Sequence, residues 1–186
     1  EFKDLGYKVF HKVLNTKDYG IPQNRERLWI FATLDTKFDD TFTIEPPKIE
    51  LKKRIKDFLD KKVDGSLYKS KKQIERLIEI HNVDFNVSEP LCFDVYNKKI
   101  KKDGICITIT EPHHNSLRIV EPKLNNEFRV RKASVTEQFR LMGFKNNEVK
   151  FGEQSYSQLS KRCGNGWDIN LVTLILKKIF KTANLI

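Results

Sequence analysis

Two arginines, Arg25 and Arg27, stand two residues apart immediately before the apolar run at residues 28–32. Placing two cations at the mouth of a buried strand is costly unless they hold an anion or a strong hydrogen-bond acceptor. The pattern indicates a binding or catalytic site. The alternative is a rim of solvated charge in front of an ordinary strand, because most charged residues are exposed.

The segment at residues 18–27, Asp-Tyr-Gly-Ile-Pro-Gln-Asn-Arg-Glu-Arg, resembles the Gln-x-Arg-x-Arg motif of the cytosine-5 DNA methyltransferases. The pair Leu14-Asn15 precedes it, as is usual in that family. Residues 131–144 look like the family's penultimate motif, R-x-L-T-P-x-E-x-x-R-L-x-G-F, and residues 157–166 resemble its last motif, Q-x-x-x-x-x-G-N-S. The three matches follow the family's order.

Three other family motifs are absent from the sequence: the Gly-rich cofactor loop, the Pro-Cys-Gln nucleophile and Glu-Asn-Val. None of Cys92, Cys106 and Cys163 has neighbours that fit the nucleophile. The chain is therefore interpreted as the C-terminal portion of a methyltransferase, either a fragment or a subunit of a divided enzyme. Such a chain is expected to be inactive alone. The alternative is a DNA-binding module or an inactive relative without catalysis of its own.

The resemblance implies an α/β fold, in which a C-terminal piece of a Rossmann-like methyltransferase domain carries a smaller mixed α+β target-recognition domain. Residues 1–45 are assigned to a strand-loop-strand piece of the catalytic domain and residues 46–132 to target recognition. Residues 133–186 carry the last two motifs and a terminal helix that returns to the catalytic domain. The composition shifts at Pro46-Pro47, which favours the first boundary.

Hydrophobic periodicity predicts the elements of these pieces. Ser134 and Glu137 have the spacing of a capping box, so a helix begins there. The predicted strands cover residues 7–14, 28–34, 91–96, 105–110, 117–121 and 128–131, and the predicted helices lie within residues 51–59, 74–81, 134–142 and 167–180.

The resemblance also implies roles for the first motif, in which Gln23, Arg25 and Arg27 form the catalytic set. Arg27 is expected to donate to O2 of the target cytosine. Its charge would stabilise the electron density that enters the ring when a thiolate adds. Arg25 is expected to organise the pocket or to pair with a glutamate of the absent portion.

The last motif implies a binding site for S-adenosyl-L-methionine at Gly164, Asn165, Gly166 and Trp167. Small residues there would allow the backbone to approach the cofactor. Gly166 replaces the family's serine, which removes a hydroxyl group. Trp167 replaces valine and either packs against the cofactor or anchors the terminal helix, and the anchor is favoured because most tryptophans lie in or near the core.

Double-stranded DNA is the partner that the resemblance implies, together with the missing N-terminal catalytic portion. The candidate DNA contacts are Thr108, Thr110, Ser116, Arg118 and Arg129, with the His113-His114 pair considered beside them. Lysine pairs on the predicted helices are expected either to contact phosphates or to be ordinary solvated faces.

Composition agrees with a polyanionic partner, since 35 Lys and Arg against 25 Asp and Glu give a net charge of +10. Three cysteines without a C-x-x-C pair argue against a disulfide framework and a zinc site, so no metal is predicted. No apolar run approaches the roughly 18 residues that a membrane span requires. The sequence thus predicts a cytoplasmic protein that does not enter membranes.

Overall fold

The computed structural model describes residues 1–83, 85–123 and 127–186 of the chain. In chain order, the strands are β1 (Lys8–Asn15), β2 (Gln23–Asn24), β3 (Glu26–Thr33), β4 (Leu91–Asp94), β5 (Lys99–Lys101), β6 (Cys106–Ile107), β7 (Leu117–Pro122) and β8 (Phe128–Arg131). The helices are α1 (Lys71–His81), α2 (Val135–Leu141), α3 (Tyr156–Asn165) and α4 (Ile169–Thr182).

Strands β1 and β3 form an antiparallel ribbon in which Leu14 lies opposite Arg27. Side chains alternate between the two faces of a strand, so one face of this ribbon can be buried while the other is open. Helix α4 covers the first face, where Leu14 packs in one cluster with Leu171 and Ile175. The predicted strands at residues 7–14 and 28–34 are confirmed, as is the terminal helix. The interpretation of the run at residues 28–32 as a buried strand is wrong, because no residue of β3 is buried and one face of the ribbon is open.

The second face of the ribbon is apolar and open to solvent. Val13 is 59% exposed, Leu28 is 57% exposed and Ile30 is 59% exposed. Leu28 lies directly opposite Val13, and Ile30 lies opposite His11, so these side chains form one continuous patch.

A second sheet contains four antiparallel strands in the order β5-β4-β7-β8. Helix α1 packs on one face, where Ile74 and Leu77 contact a cluster that includes Phe85, Phe93 and Val120. Ser70 and Gln73 form the capping box that begins α1. The predicted helix at residues 74–81 is therefore confirmed.

The motif segment is joined to the second half of the chain by the short parallel pair β2-β6, in which Gln23 lies opposite Cys106. A third cluster lies around this junction and includes Ile21, Cys106, Ile109 and Leu141. The loop that carries the two arginines is therefore held from both sides.

Helix α2 begins at the predicted capping box, since the Ser134 hydroxyl accepts from the Glu137 backbone amide and the Glu137 carboxylate accepts from the Ser134 amide. The prediction of a helix within residues 51–59 is wrong, because only the single 3-10 turn Ile55–Phe58 forms there. The Ile55 amide donates to the Gly104 carbonyl oxygen at 2.7 Å instead of continuing a helix. Strands β2 and β5 and helix α3 were not predicted. Among the described residues, no helix is long and apolar enough to cross a membrane.

Candidate functional site

The first and last motifs meet at one cleft of about 450 Å³. Strand β3 contributes Arg27 and Trp29, and the segment from the end of α3 to the start of α4 contributes the opposite wall. The structure thus brings together residues that are far apart in the sequence. The wall from that segment consists of Gly164, Asn165, Gly166 and Trp167.

Arg25 is buried and fixes the floor of this cleft. Its guanidinium donates to the carbonyl oxygens of Ile109 at 2.8 Å, Gly164 at 2.9 Å and Gly166 at 2.8 Å. Burial, together with the charge of Arg27, lowers the pKa of Arg25 to about 10. Arg25 stays protonated at neutral pH and connects the motif loop to both later segments.

Gln23 is fully buried and makes a similar connection. Its side-chain amide donates to the Leu141 carbonyl oxygen at 2.7 Å, and its Oε1 accepts from the Ile109 amide at 3.1 Å. Both polar atoms of Gln23 are therefore satisfied inside the protein. Gln23 lies beside the cleft without opening into it.

Arg27 is exposed, in contrast to Gln23 and Arg25. Among the described residues, the one hydrogen bond of its guanidinium runs from Nη1 to the Glu26 carbonyl oxygen at 2.6 Å. The guanidinium has five donors, so most remain available to a ligand. Of the catalytic set, Arg27 is the member that can reach a bound molecule.

Gly164 and Asn165 lie in the last turn of α3, and Gly166 follows as its cap. A Cβ at Gly164 would approach within 2.4 Å of the Glu111 amide nitrogen and within 2.5 Å of the Thr110 carbonyl carbon. The small size of Gly164 was expected to admit the cofactor, but the backbone that approaches it belongs to the protein. Asn165 is exposed at the cleft.

Trp167 is 65% exposed, and its ring lies 5.6 Å from that of Trp29. The favoured interpretation of Trp167 as a core anchor is wrong, because the start of α4 is instead fixed by Asp168. The buried Asp168 carboxylate accepts from the Asn170 amide at 2.9 Å. The exposed indole of Trp167 is therefore free to contact a ligand.

Two positioning residues were missed by the sequence analysis, Asn15 and Asp168. Asn15 Oδ1 accepts from the Arg25 amide at 3.2 Å, and Nδ2 donates to Asn24 at 2.7 Å, so this side chain shapes the motif loop. Its place in the Leu14-Asn15 pair was the available signal. Burial raises the pKa of Asp168, although backbone donors and the charge of Arg25 oppose that rise.

The three cysteines are buried. Burial raises the pKa of Cys92 and Cys163 to about 12 and raises that of Cys106 as well. A thiol must ionise to act as a nucleophile, so none of these three is activated. In the part of the chain that the structure describes, no group of His, Cys, Asp and Glu side chains could hold a metal ion.

A second cleft, of about 710 Å³, lies between β6, β7 and the β4–β5 turn. It adjoins the motif loop, because the Thr108 hydroxyl donates to the Asn24 carbonyl oxygen at 2.6 Å. Most of the predicted DNA contacts therefore share one surface. The residues that line it include Thr108, Thr110, Ser116, Arg118, His113 and His114.

Arg129 lies apart from this second cleft, in strand β8. Its guanidinium pairs with Glu121 at 3.1 Å and lies 4.7 Å from the centre of the Tyr68 ring. Arg118 lines the cleft, but its Nη1 donates to the carbonyl oxygens of Asn115 and Leu117. Burial lowers the pKa of Arg118.

A family model for the C-5 cytosine-specific DNA methylases matches residues 1–181 of the chain. The chain is 25% identical over 187 residues to the type II methyltransferase M2.ScrFI of Lactococcus lactis subsp. cremoris, which covers 97% of this chain and 47% of that protein. It is 27% identical over 190 residues to the type II methyltransferase M.SsoII of Shigella sonnei, covering 98% of this chain and 47% of that protein. The chain thus spans about half the length of these curated relatives.

Solved structures of methyltransferases have a similar fold to this chain. The Dnmt2 methyltransferase of S. pombe matches with a TM-score of 0.71 at 16% identity, covering 98% of this chain and 59% of that one. The Entamoeba histolytica methyltransferase EhMeth matches with a TM-score of 0.61 at 19% identity, covering 98% and 56% respectively. These similarities confirm the α/β methyltransferase fold.

Proposed function

The chain belongs to the C-5 cytosine-specific DNA methylase family, and we propose that it is the C-terminal portion or subunit of a DNA (cytosine-5) methyltransferase. The reaction would transfer a methyl group to C5 of a cytosine that is flipped out of a specific DNA sequence. The observation that carries this proposal is the single cleft in which Arg27 faces residues 164–167. A base-binding group and a cofactor-binding wall are needed side by side for methyl transfer.

Arg27 supplies the electrostatic part of this chemistry. Its exposed guanidinium donates to O2 of the cytosine and stabilises the negative charge that develops when a thiolate adds to C6. The buried hydrogen bonds of Arg25 and Gln23 hold the loop in place, so Arg27 needs little reorganisation during the reaction. The preorganised loop therefore contributes to catalysis through Arg27.

S-adenosyl-L-methionine is the cofactor of this proposal, and it supplies the methyl group when bound. The cleft fits such a molecule in two respects. The exposed Trp167 indole offers a flat apolar surface for a purine ring, and the exposed Asn165 offers amide donors and an acceptor. On the opposite wall, the Trp29 indole N–H is buried and has no hydrogen-bond partner among the described residues.

The nucleophile is assigned to an N-terminal portion, upstream in the same chain or in a separate subunit. The raised pKa values of Cys92 and Cys163 support this assignment, as does the burial of Cys106. The apolar face of the β1–β3 ribbon is the surface on which that portion would pack. Alone, the chain would hold the cytosine without attacking it.

Residues 46–132 are assigned to target recognition, between catalytic pieces at residues 1–45 and 133–186. The cleft of about 710 Å³ supports this assignment, because it gathers Thr108, Ser116 and Arg118 beside the motif loop. Double-stranded DNA is the proposed partner.

The second candidate is a DNA-binding module without catalysis, and the burial of all three cysteines favours it. It gives no reason for the open cleft around Arg27. Labelled S-adenosylmethionine and duplex DNA distinguish the two functions. We expect no methyl transfer by the 186-residue chain alone and transfer to cytosine when the N-terminal portion is added.

Transfer by the chain alone would refute the assignment of the nucleophile. Failure of the combined portions to methylate DNA, with binding retained, would favour the module.

A further inference from the structure

The exposed Arg27 depends on its neighbour in the chain for its direction. Among the described residues, its guanidinium donates only to the carbonyl oxygen of Glu26, at 2.6 Å. A long arginine side chain otherwise has many rotamers, and holding it in one direction costs conformational entropy. The Glu26 peptide group therefore determines where the charge of Arg27 lies in the cleft.

Asn15, the last residue of β1, holds Glu26 from the neighbouring strand. The two residues lie directly opposite each other in the ribbon, so their side chains form a cross-strand pair. Asn15 Nδ2 donates to the Glu26 carboxylate, at 3.4 Å from Oε1. Asn15 is buried and Glu26 is exposed, so the contact lies where the core meets the solvent.

The same amide also fixes the rest of the motif loop. Asn15 Oδ1 accepts from the Arg25 amide at 3.2 Å and from the Lys17 amide at 3.2 Å. Nδ2 donates to Asn24 Oδ1 at 2.7 Å as well. An asparagine side chain offers two acceptor lone pairs and two N–H donors, and each of them has a partner here. One side chain thus holds the three residues that precede the exposed arginine.

Among these partners, Glu26 is the one that requires a donor at position 15. Its ionised carboxylate can only accept, whereas the Asn24 amide can rotate and present either its oxygen or its nitrogen. An Asn15→Asp variant would keep an acceptor for the Arg25 amide and could still bond to Asn24. It would place two carboxylates against each other at residue 26, where like charges in a cross-strand pair repel.

We propose that Asn15 and Glu26 form a positioning pair for Arg27, in which the Asn15 amide holds the Glu26 carboxylate and thereby directs the Arg27 guanidinium into the cleft. This inference rests on the proposed function, because it concerns turnover by the enzyme that contains both portions. Neither member of the pair touches the reacting atoms. Both act through the peptide group that accepts from Arg27.

Methylation kinetics of the enzyme that contains both portions test the pair. Asn15→Asp should lower kcat by about 10- to 100-fold, because a small displacement of a positioned group has an effect of this size. The KM values for S-adenosylmethionine and for duplex DNA should change little, since neither Asn15 nor Glu26 lines either cleft. Asn147→Asp is the matched control, because it adds the same charge at an exposed turn and should keep the wild-type kcat.

Reversing the polarity of the pair separates positioning from a loss of stability. In Asn15→Asp/Glu26→Gln, the glutamine amide can donate to the carboxylate at position 15, so kcat should return to that of Glu26→Gln measured alongside it. Ile175→Ala removes a core contact beneath the same ribbon without touching the motif loop. It should lower the urea midpoint of unfolding and leave the kcat of the folded enzyme unchanged.

The outcomes separate this inference from the proposed function. If wild type methylates DNA and Asn15→Asp matches it in kcat, the positioning pair is wrong while the methyltransferase proposal stands. The pair is also wrong if the double variant stays as slow as Asn15→Asp, or if Ile175→Ala lowers kcat equally. If the combined wild-type portions methylate no DNA, the proposed function fails and this inference fails with it.

Discussion

At the scale of single residues, the side chains of the motif at residues 23–27 have two different roles: some support the loop, and one can contact a ligand. The Arg25 guanidinium donates to three protein carbonyl oxygens. The Gln23 side chain donates to one carbonyl oxygen and accepts from one backbone amide. Arg27 points outward because it lies in strand β3, beyond the buried loop. The motif therefore presents one exposed cation, Arg27, on a loop that buried hydrogen bonds hold in place.

Replacing Arg27 by alanine tests this division in the enzyme that contains both portions. We expect turnover to fall by a factor equivalent to about 2 to 4 kcal/mol of barrier, as for the removal of a preorganised donor. DNA affinity should change much less, because the proposed DNA-binding surface is the second cleft. Single-turnover rates and binding titrations measure the two effects separately. An equal loss of rate and affinity would instead make Arg27 a phosphate contact.

At the scale of elements, a buried charge network connects strands β7 and β8 to helix α2. Arg131 and Glu137 are fully buried and form a bidentate pair at 2.7 and 2.8 Å. Arg131 also donates to Glu121 in β7 at 2.6 Å. Burial alone lowers the pKa of Arg131, but the hydrogen bonds and charges of Glu137 and Glu121 reverse that effect and raise it.

Breaking the buried Arg131–Glu137 pair should lower the free energy of unfolding far more than breaking the more exposed Arg129–Glu121 pair. Arg131→Met leaves the Glu137 carboxylate buried and without its countercharge, so we expect a loss of about 3 to 5 kcal/mol in the free energy of unfolding. Arg129→Met removes a side chain from the same strand that pairs with Glu121 near the surface, so its cost should stay within about 1 kcal/mol.

Urea unfolding of the two variants, side by side, measures the difference. Equal losses would show that burial does not decide the strength of these ion pairs. Recovery of stability in Arg131→Met/Glu137→Leu would identify the unpaired carboxylate as the cause.

At the scale of the whole molecule, the fold leaves one face of a strand ribbon uncovered. Val13, Leu28 and Ile30 form an apolar patch on a two-stranded sheet whose opposite face packs on α4. An isolated two-stranded sheet has little stability of its own, and neighbouring strands and helices normally complete it. We therefore expect the proposed N-terminal portion to pack on this patch.

Charges on this patch should block assembly without unfolding the chain. We expect Leu28→Glu/Ile30→Glu to abolish co-purification with the N-terminal portion, since burying two carboxylates is prohibitive. Ile80→Glu is the control, because Ile80 is a comparably exposed apolar residue, at 53%, on the distant helix α1. Circular dichroism of each variant checks folding. Retained assembly of the double variant would place the N-terminal portion elsewhere.

The sequence by itself determined the elements that have strong local signals. The apolar run at residues 28–32 predicted β3, and the Ser134–Glu137 spacing predicted the start of α2, because strand periodicity and helix capping act between near neighbours. It also predicted the α/β methyltransferase fold, since ordered motifs carry information across the whole chain.

Local patterns failed where partners are distant. The segment at residues 51–59 has helical spacing, but the Ile55 amide bonds to Gly104 and only a 3-10 turn forms. Strands β2 and β5 are too short to show periodicity, and β2 exists because it pairs with β6. Nothing in the segment around β2 alone specifies that pairing.

Only the tertiary structure decided which candidate residues face a ligand. Local spacing does not predict the different exposure of Gln23, Arg25 and Arg27. Long-range hydrogen bonds to Ile109, Leu141 and the end of α3 bury the first two. The tertiary structure likewise decides that Arg118 lines the second cleft while Arg129 lies apart from it. Exposure depends on what packs from elsewhere in the chain, so residue type supplies the chemistry while the fold selects the atoms that can perform it.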